Sequence, residues 1–98
     1  MITRHDLRTR REEITRLAAR HGARDLRVFG SVARGDATAA SDLDLLVRFD
    51  ADRSLMDHGM LVEELQDLLK VRVDVVSEAA LAAGDRFGER LAREAVPL

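Results

Sequence analysis

The stretch from Asp42 to Phe49 limits what this chain can fold into more than any other. Successive side chains of a strand alternate between faces, so Asp42, Asp44, Leu46 and Arg48 share one face while Leu43, Leu45, Val47 and Phe49 share the other. An unbroken apolar face demands a covering layer of helices. The two carboxylates therefore project together from a strand fixed by burial. Held roughly 5 Å apart, two anions repel by about 3 kcal/mol at an effective dielectric near 20. A fold that keeps them together must protonate one or supply a cation. The chain has no cysteine, and His5, His21 and His58 have no metal-like spacing and read as helix-end or surface residues. Oxygen ligands alone favour a hard divalent ion such as Mg²⁺, which keeps waters and shares its shell with substrate phosphates.

Around that strand the periodicity changes in an orderly way. Thr3 and Asp6 form a capping-box pattern, and Leu7, Ile14, Leu17 and Ala18 recur at helical spacing, predicting one helix to about Arg20 with Gly22 ending it. The arginines of that helix, Arg4, Arg8, Arg11 and Arg16, are interrupted by Glu12 and Glu13 and read as a solvated face. A strand follows over Asp25 to Phe29, then a polar loop over Asp36 to Ser41. After the central strand, an acidic connection leads to a helix capped by Ser54 or Asp57, with Met60, Leu61, Leu65, Leu68 and Leu69 as its apolar stripe and the methionines as core filler. The third strand, Val71 to Val76, buries Val71, Val73 and Val75 and turns Asp74 the other way. Taken alone, Asp74 reads as a residue that sees water or pairs with Arg72 or Arg48 in preference to a functional one. Ser77 caps a short helix containing Leu81, a bend falls near Gly84 and Asp85, and a last helix carries Phe87, Leu91, Ala92 and Ala95 until Pro97 stops it.

Upstream of the aspartates, Gly30 and Ser31 end the first strand and begin a helical turn. Unpaired backbone N–H groups and a serine hydroxyl there can hold phosphate oxygens, and glycine allows close approach. Gly30 and Gly35 fit the glycine spacing of a P-loop, but Asp36 and Ala37 follow where Lys and Ser or Thr are required, so the Walker reading fails.

At 98 residues the chain is expected to form one domain, 1–98, with a thin core that leaves room for a partner surface. A net charge of −2 and 3% aromatic residues give neither the basic field nor the stacking platforms of a nucleic-acid binder, so a nucleotide is expected in place of a polymer. Cysteine usage leaves the redox compartment open. The polar N-terminus lacks a signal-peptide run, no stretch approaches the roughly 20 apolar residues of a membrane span, and a cytoplasmic location is the default. No Ser-His-Asp or Cys-His set points to a covalent intermediate.

Gly30-Ser31, then Arg34-Gly35, then Ser41-Asp42 with Asp44, Leu45 and Val47, resembles the signature of the DNA polymerase beta nucleotidyltransferase superfamily. The whole chain resembles the minimal nucleotidyltransferases, short proteins paired with HEPN-domain toxins as antitoxins. The resemblance implies an α+β, two-layer fold with a small mixed sheet of about three core strands covered by helices. It implies Asp42, Asp44 and Asp74 as catalytic, metal-binding carboxylates, Asp74 being the third of the family's set. Gly30, Ser31, Arg34 and Ser41 become nucleotide-binding candidates, although Arg34 equally suits a structural pairing with Asp36 or Asp42. The implied activity is Mg²⁺-dependent transfer of AMP from ATP to a hydroxyl, in this family a tyrosine of a HEPN RNase toxin, within a hetero-oligomer. Two alternatives stay open: an antitoxin that masks its toxin by binding alone, and nucleotidylation of a small-molecule hydroxyl.

Overall fold

The structure, a computed structural model, describes residues 1–81 and 85–98. Its elements run α1 (Arg4–Thr9), α2 (Arg11–Arg20), β1 (Ala23–Phe29), α3 (Gly30–Arg34), β2 (Leu43–Phe49), α4 (Leu55–Leu69), β3 (Val73–Ser77), a 3-10 turn (Glu78–Ala80), α5 (Arg86–Glu94) and β4 (Val96–Pro97). The sheet has the order β3-β2-β1-β4, with β2 and β3 parallel and the other pairs antiparallel. The α+β expectation is met, with a fourth strand added.

Binary patterning explains the layers. Leu43, Leu45 and Val47 of β2, Val73 and Val75 of β3 and Val28 of β1 form one core cluster with Leu7, Ile14 and Ala18 of the N-terminal helices and Leu61 and Leu65 of α4. Truncating such a leucine to alanine costs about 2–5 kcal/mol. Ser54 and Asp57 act together in a capping box at the start of α4, each satisfying a backbone N–H of the other's turn. Among the described residues, no helix is long and apolar enough to cross a membrane.

Several expectations are corrected. The first helix breaks at Arg10 (φ −109°, ψ 13°), where Thr9 Oγ1 donates to the Asp6 carbonyl at 2.9 Å and the Arg10 guanidinium donates to the Leu68 carbonyl at 2.9 Å. Hydroxyl back-bonding of this kind bends helices, and the guanidinium ties the break to α4. The first strand starts two residues before Asp25, which lies at φ +52° in a bulge that shifts the β1–β2 register between Arg24 and Arg27. The extra residue resets alternation, so Ala23 and Leu26 both face the core.

Met60 is 45% exposed and Met56 73%, so the methionines are not core filler; Leu61, Leu65 and Leu69 are the buried stripe of α4. Val71 is only half-buried, because β3 begins at Val73. Ser77 makes no side-chain cap, and a 3-10 turn stands where a helix was expected. The bend expected at Gly84 lies outside the described residues. Asp85 caps α5 through the Phe87 N–H. Only Leu91 of the apolar residues named for that helix is fully buried, and the helix ends at Glu94, before Pro97, which instead joins the sheet opposite Arg27.

The histidines differ from one another. His5 is exposed, whereas His21, at the end of α2, is 8% exposed and paired with Glu64, with Asp57 3.9 Å away. His58 stacks on Phe49 and donates from Nε2 to the Val75 carbonyl at 2.8 Å, which makes Nε2 the protonated nitrogen of that ring.

Candidate active site

Three strands bring the candidate residues to one end of the sheet. Phe29 pairs with Asp44 across the antiparallel β1–β2 ladder, and Asp44 pairs with Asp74 across the parallel β2–β3 ladder. Directly paired residues point to the same face, so Asp44 and Asp74 stand about 5 Å apart at their backbones. Two hydrogen bonds fix this register: Leu43 N–H donates to the Arg72 carbonyl at 2.8 Å, and Val73 N–H donates to Gln66 Oε1 at 3.1 Å. A side chain of α4 thus anchors the start of the strand that carries Asp74.

Asp42 lies one residue before β2 and is joined by Arg72 at 3.3 Å. Both partners are well exposed, so this pair contributes little. Arg48, the other cation considered for Asp74, pairs with Asp25 at 2.9 Å. Asp44 is half-buried, and its carboxyl is held above its ordinary range by burial first, then by the charges of Asp74 and Asp42; Arg34 opposes them. Asp44 is therefore the electrostatic centre of the group. Among the described residues no group of three or more His, Asp or Glu side chains is arranged so as to hold a metal ion by itself. An open, all-oxygen arrangement of negative charge suits an ion that completes its shell with water and phosphate.

Gly30 is indispensable to this geometry for two reasons. It sits at φ +71°, a left-handed conformation, and a Cβ built on it would collide with the Asp44 carboxylate. The turn that begins α3 thus passes directly over Asp44, and Ser31 follows it, half-buried. Arg34 pairs with Asp36 at 3.3 Å, the structural alternative considered for it, without losing its reach to Asp44. Ser41 is engaged in its own loop, where Oγ accepts the Thr38 N–H at 2.9 Å.

Sequence reasoning missed part of the surroundings. Leu46, expected beside the aspartates, is fully buried but outside the main core cluster, which shows that the site face is itself covered further along the strand. Arg27 shares that face opposite Leu46, donates to Glu78 at 2.9 Å and leaves its Nε buried without a partner among the described residues. Phe29 and α5 border a groove of about 280 Å³ that opens at Gly30. A larger groove of about 470 Å³ lies near the start of β1, lined by Arg11, Arg24 and Asp50 among others; it lacks all the aspartates of the site and has no part in their chemistry.

A sequence model of the family described as "Nucleotidyltransferase domain" matches residues 10–94. The protein adenylyltransferase MntA of Thermococcus cleftensis is 44% identical over 69% of this chain and 69% of its own length. A Methanocaldococcus jannaschii protein, MJ0435, provisionally named a protein adenylyltransferase, is 36% identical over 68% of this chain and 72% of its own length. A solved structure provisionally described as a minimal nucleotidyltransferase is 55% identical and superposes with a TM-score of 0.86, covering 99% of this chain and 97% of the other. A toxin–antitoxin crystallised with AMP-PNP is similar in fold, with a TM-score of 0.63 at 22% identity over 72% of this chain and 59% of that one. Matched by the family model over residues 10–94 and by these relatives along most of its length, the chain is a nucleotidyltransferase belonging to the nucleotidyltransferase domain family, in its minimal form.

Proposed function

We infer that this nucleotidyltransferase is a protein adenylyltransferase that transfers AMP from ATP to a tyrosine hydroxyl of a HEPN-domain RNase toxin and so acts as its antitoxin. The observation that carries the reading is the Asp44–Asp74 pair beneath Gly30, with Asp42 adjoining. Uncompensated, that cluster is electrostatically unfavourable; in the presence of a metal–triphosphate it becomes complementary to its ligand. Similarity to adenylyltransferases supports AMP as the transferred group, and the fold shared with a toxin–antitoxin complex supports a toxin as acceptor. ATP as donor suits a cytoplasmic setting.

In this reading Asp42, Asp44 and Asp74 would be the residues that hold Mg²⁺, which would supply charge neutralisation for the triphosphate and Lewis acidity at the α-phosphoryl group. The Gly30 and Ser31 backbone and the Ser31 hydroxyl hold the β- and γ-phosphates, keeping the leaving group in line. Arg34 adds positive charge at the same end. Ser41 shapes the loop that delivers Asp42. Asp74, the most exposed of the three, is on the acceptor side in this reading, where it would ligate the metal nearest the acceptor or take the hydroxyl proton. The hydroxyl oxygen forms a bond to the α-phosphorus, the bond from that phosphorus to the bridging oxygen of the β-phosphate breaks, and pyrophosphate leaves.

The test is the intact mass of the partner toxin purified after co-expression with this chain. An AMP adduct on tyrosine that disappears with the Asp42→Asn/Asp44→Asn variant supports the reading. Unmodified toxin in a stable stoichiometric complex overturns it in favour of masking.

A further inference from the structure

The outer face of α4 is apolar where water meets it. At about 3.6 residues per turn, Leu61, Leu65 and Leu69 form the face turned to the sheet, and Leu55, Met56, Gly59, Met60, Glu63 and Asp67 fall together on the opposite one. An outer face of this kind is ordinarily polar. Here its first half is not: Leu55 is 88% exposed, and both methionines are open to solvent. A contiguous apolar patch on so small a domain marks a surface that another molecule covers.

Two further observations say what covers it. Gly59 lies inside the helix without a positive φ, and a Cβ added there would meet nothing within 4 Å. Neither the backbone nor packing within the chain requires glycine, which is among the poorest helix formers. Its missing side chain leaves a notch framed by Leu55, Met56, Met60 and Glu63, the kind of hole that takes one side chain of a facing helix. The methionines on its rim adapt their shape to whatever enters.

The second observation is charge. Asp57 and Glu64 of α4 are ion-paired within the chain, whereas Glu63 and Asp67 extend the exposed face with no ion pair among the described residues. A partner that completes the face brings cations beside its apolar residues. Because α4 contains no lysine or arginine, two copies meeting through this face would set the same acids against each other. The patch also lies away from the aspartates, since α4 starts beyond the far end of β2 and the site is at that strand's beginning. Docking here leaves the site open.

We propose that the outer face of α4, from Leu55 to Asp67, docks an amphipathic helix of the partner protein, which presents an aliphatic side chain to the notch at Gly59 and lysines or arginines to Glu63 and Asp67. The inference rests on the reading that this chain acts on a protein. It gives that reaction binding energy from outside the reacting centre.

Calorimetric titration of the chain with the partner toxin, without ATP, tests this. Gly59→Gln fills the notch with a better helix former, so this variant is expected to unfold at a higher temperature than wild type yet bind the toxin about tenfold or more weakly. Glu63→Lys/Asp67→Lys is expected to weaken binding by about tenfold and to flatten its salt dependence. Asp42→Asn/Asp44→Asn is expected to bind as wild type does. Unchanged affinity in both α4 variants, absence of binding by wild type, or sedimentation of the chain alone as a dimer that Gly59→Gln dissociates overturns the docking surface. An AMP adduct on the toxin together with unchanged affinity in the α4 variants removes the docking surface alone. Weakened affinity in those variants, with no adduct formed by wild type, removes transfer alone.

Discussion

Replacing Gly30 by alanine separates two constraints that the structure superimposes on one residue. The first is conformational: a residue with a Cβ at φ +71° incurs the left-handed penalty, about 1–2 kcal/mol. The second is steric, because the new methyl group meets the Asp44 carboxylate and forces that side chain off its rotamer, at about 0.5–1.5 kcal/mol. Together they predict a destabilisation of roughly 1.5–3.5 kcal/mol in urea or thermal unfolding, which a domain stable by about 5–15 kcal/mol survives. In an Asp44→Ala background only the Asp44 Cβ remains, at 3.5 Å, an ordinary contact, so the steric part vanishes. The double-mutant cycle should then show a coupling of about 0.5–1.5 kcal/mol between positions 30 and 44. Equal destabilisation in both backgrounds would refute the claim that the turn lies directly over the carboxylate.

Further outcomes follow from the same geometry. Because the Asp44 carboxyl is raised, the folded chain binds its proton more tightly than the unfolded one, so that group's contribution to stability falls as pH rises through the window above 3.8. Asp44→Asn should therefore abolish transfer while raising the unfolding midpoint at neutral pH, by at most about 1 kcal/mol because water screens a half-exposed group, and the gain should shrink on acidification. Asp57 has the opposite sign: the Ser54 backbone N–H holds its carboxyl below the ordinary range, so its stabilisation is present at neutral pH and is lost as pH falls below about 3.8. Ser54→Ala should cost about 1 kcal/mol in urea unfolding through loss of the α4 cap. Ser31→Ala should weaken tripolyphosphate binding by about 1.5–3 kcal/mol in calorimetry, the value of one hydrogen bond to a charged group.

The parts of the fold visible in the sequence are those decided locally. The capping pattern of Ser54 and Asp57, the Leu61-Leu65-Leu69 spacing and the alternation from Leu43 to Phe49 each encode their element within a few residues, and the structure follows them. The parts that were not visible depend on distant partners. The break at Arg10 is tied to a carbonyl at position 68, β4 exists only because β1 offers an edge to Val96 and Pro97, and Leu46 is buried by covering of the second sheet face. The site divides the same way. Asp42 and Asp44 could be read from alternation alone, whereas the pairing of Asp74 with Asp44 needs the parallel register that the connecting helix imposes. Phe87 lies in α5 as periodicity placed it, but its exposure was not legible, because periodicity places a residue on a helix face without saying which faces the sheet has already filled.

The most direct test of the central claim is a comparison of two labelled donors. ATP carrying ³²P at the α-position or at the γ-position is incubated with Mg²⁺, this chain and its partner toxin, with Asp42→Asn/Asp44→Asn as control. The account predicts that α-label is incorporated into the acceptor, that γ-label is released as pyrophosphate, and that both events cease in the control. Incorporation of γ-label, or α-label transfer that persists without the two aspartates, would contradict it.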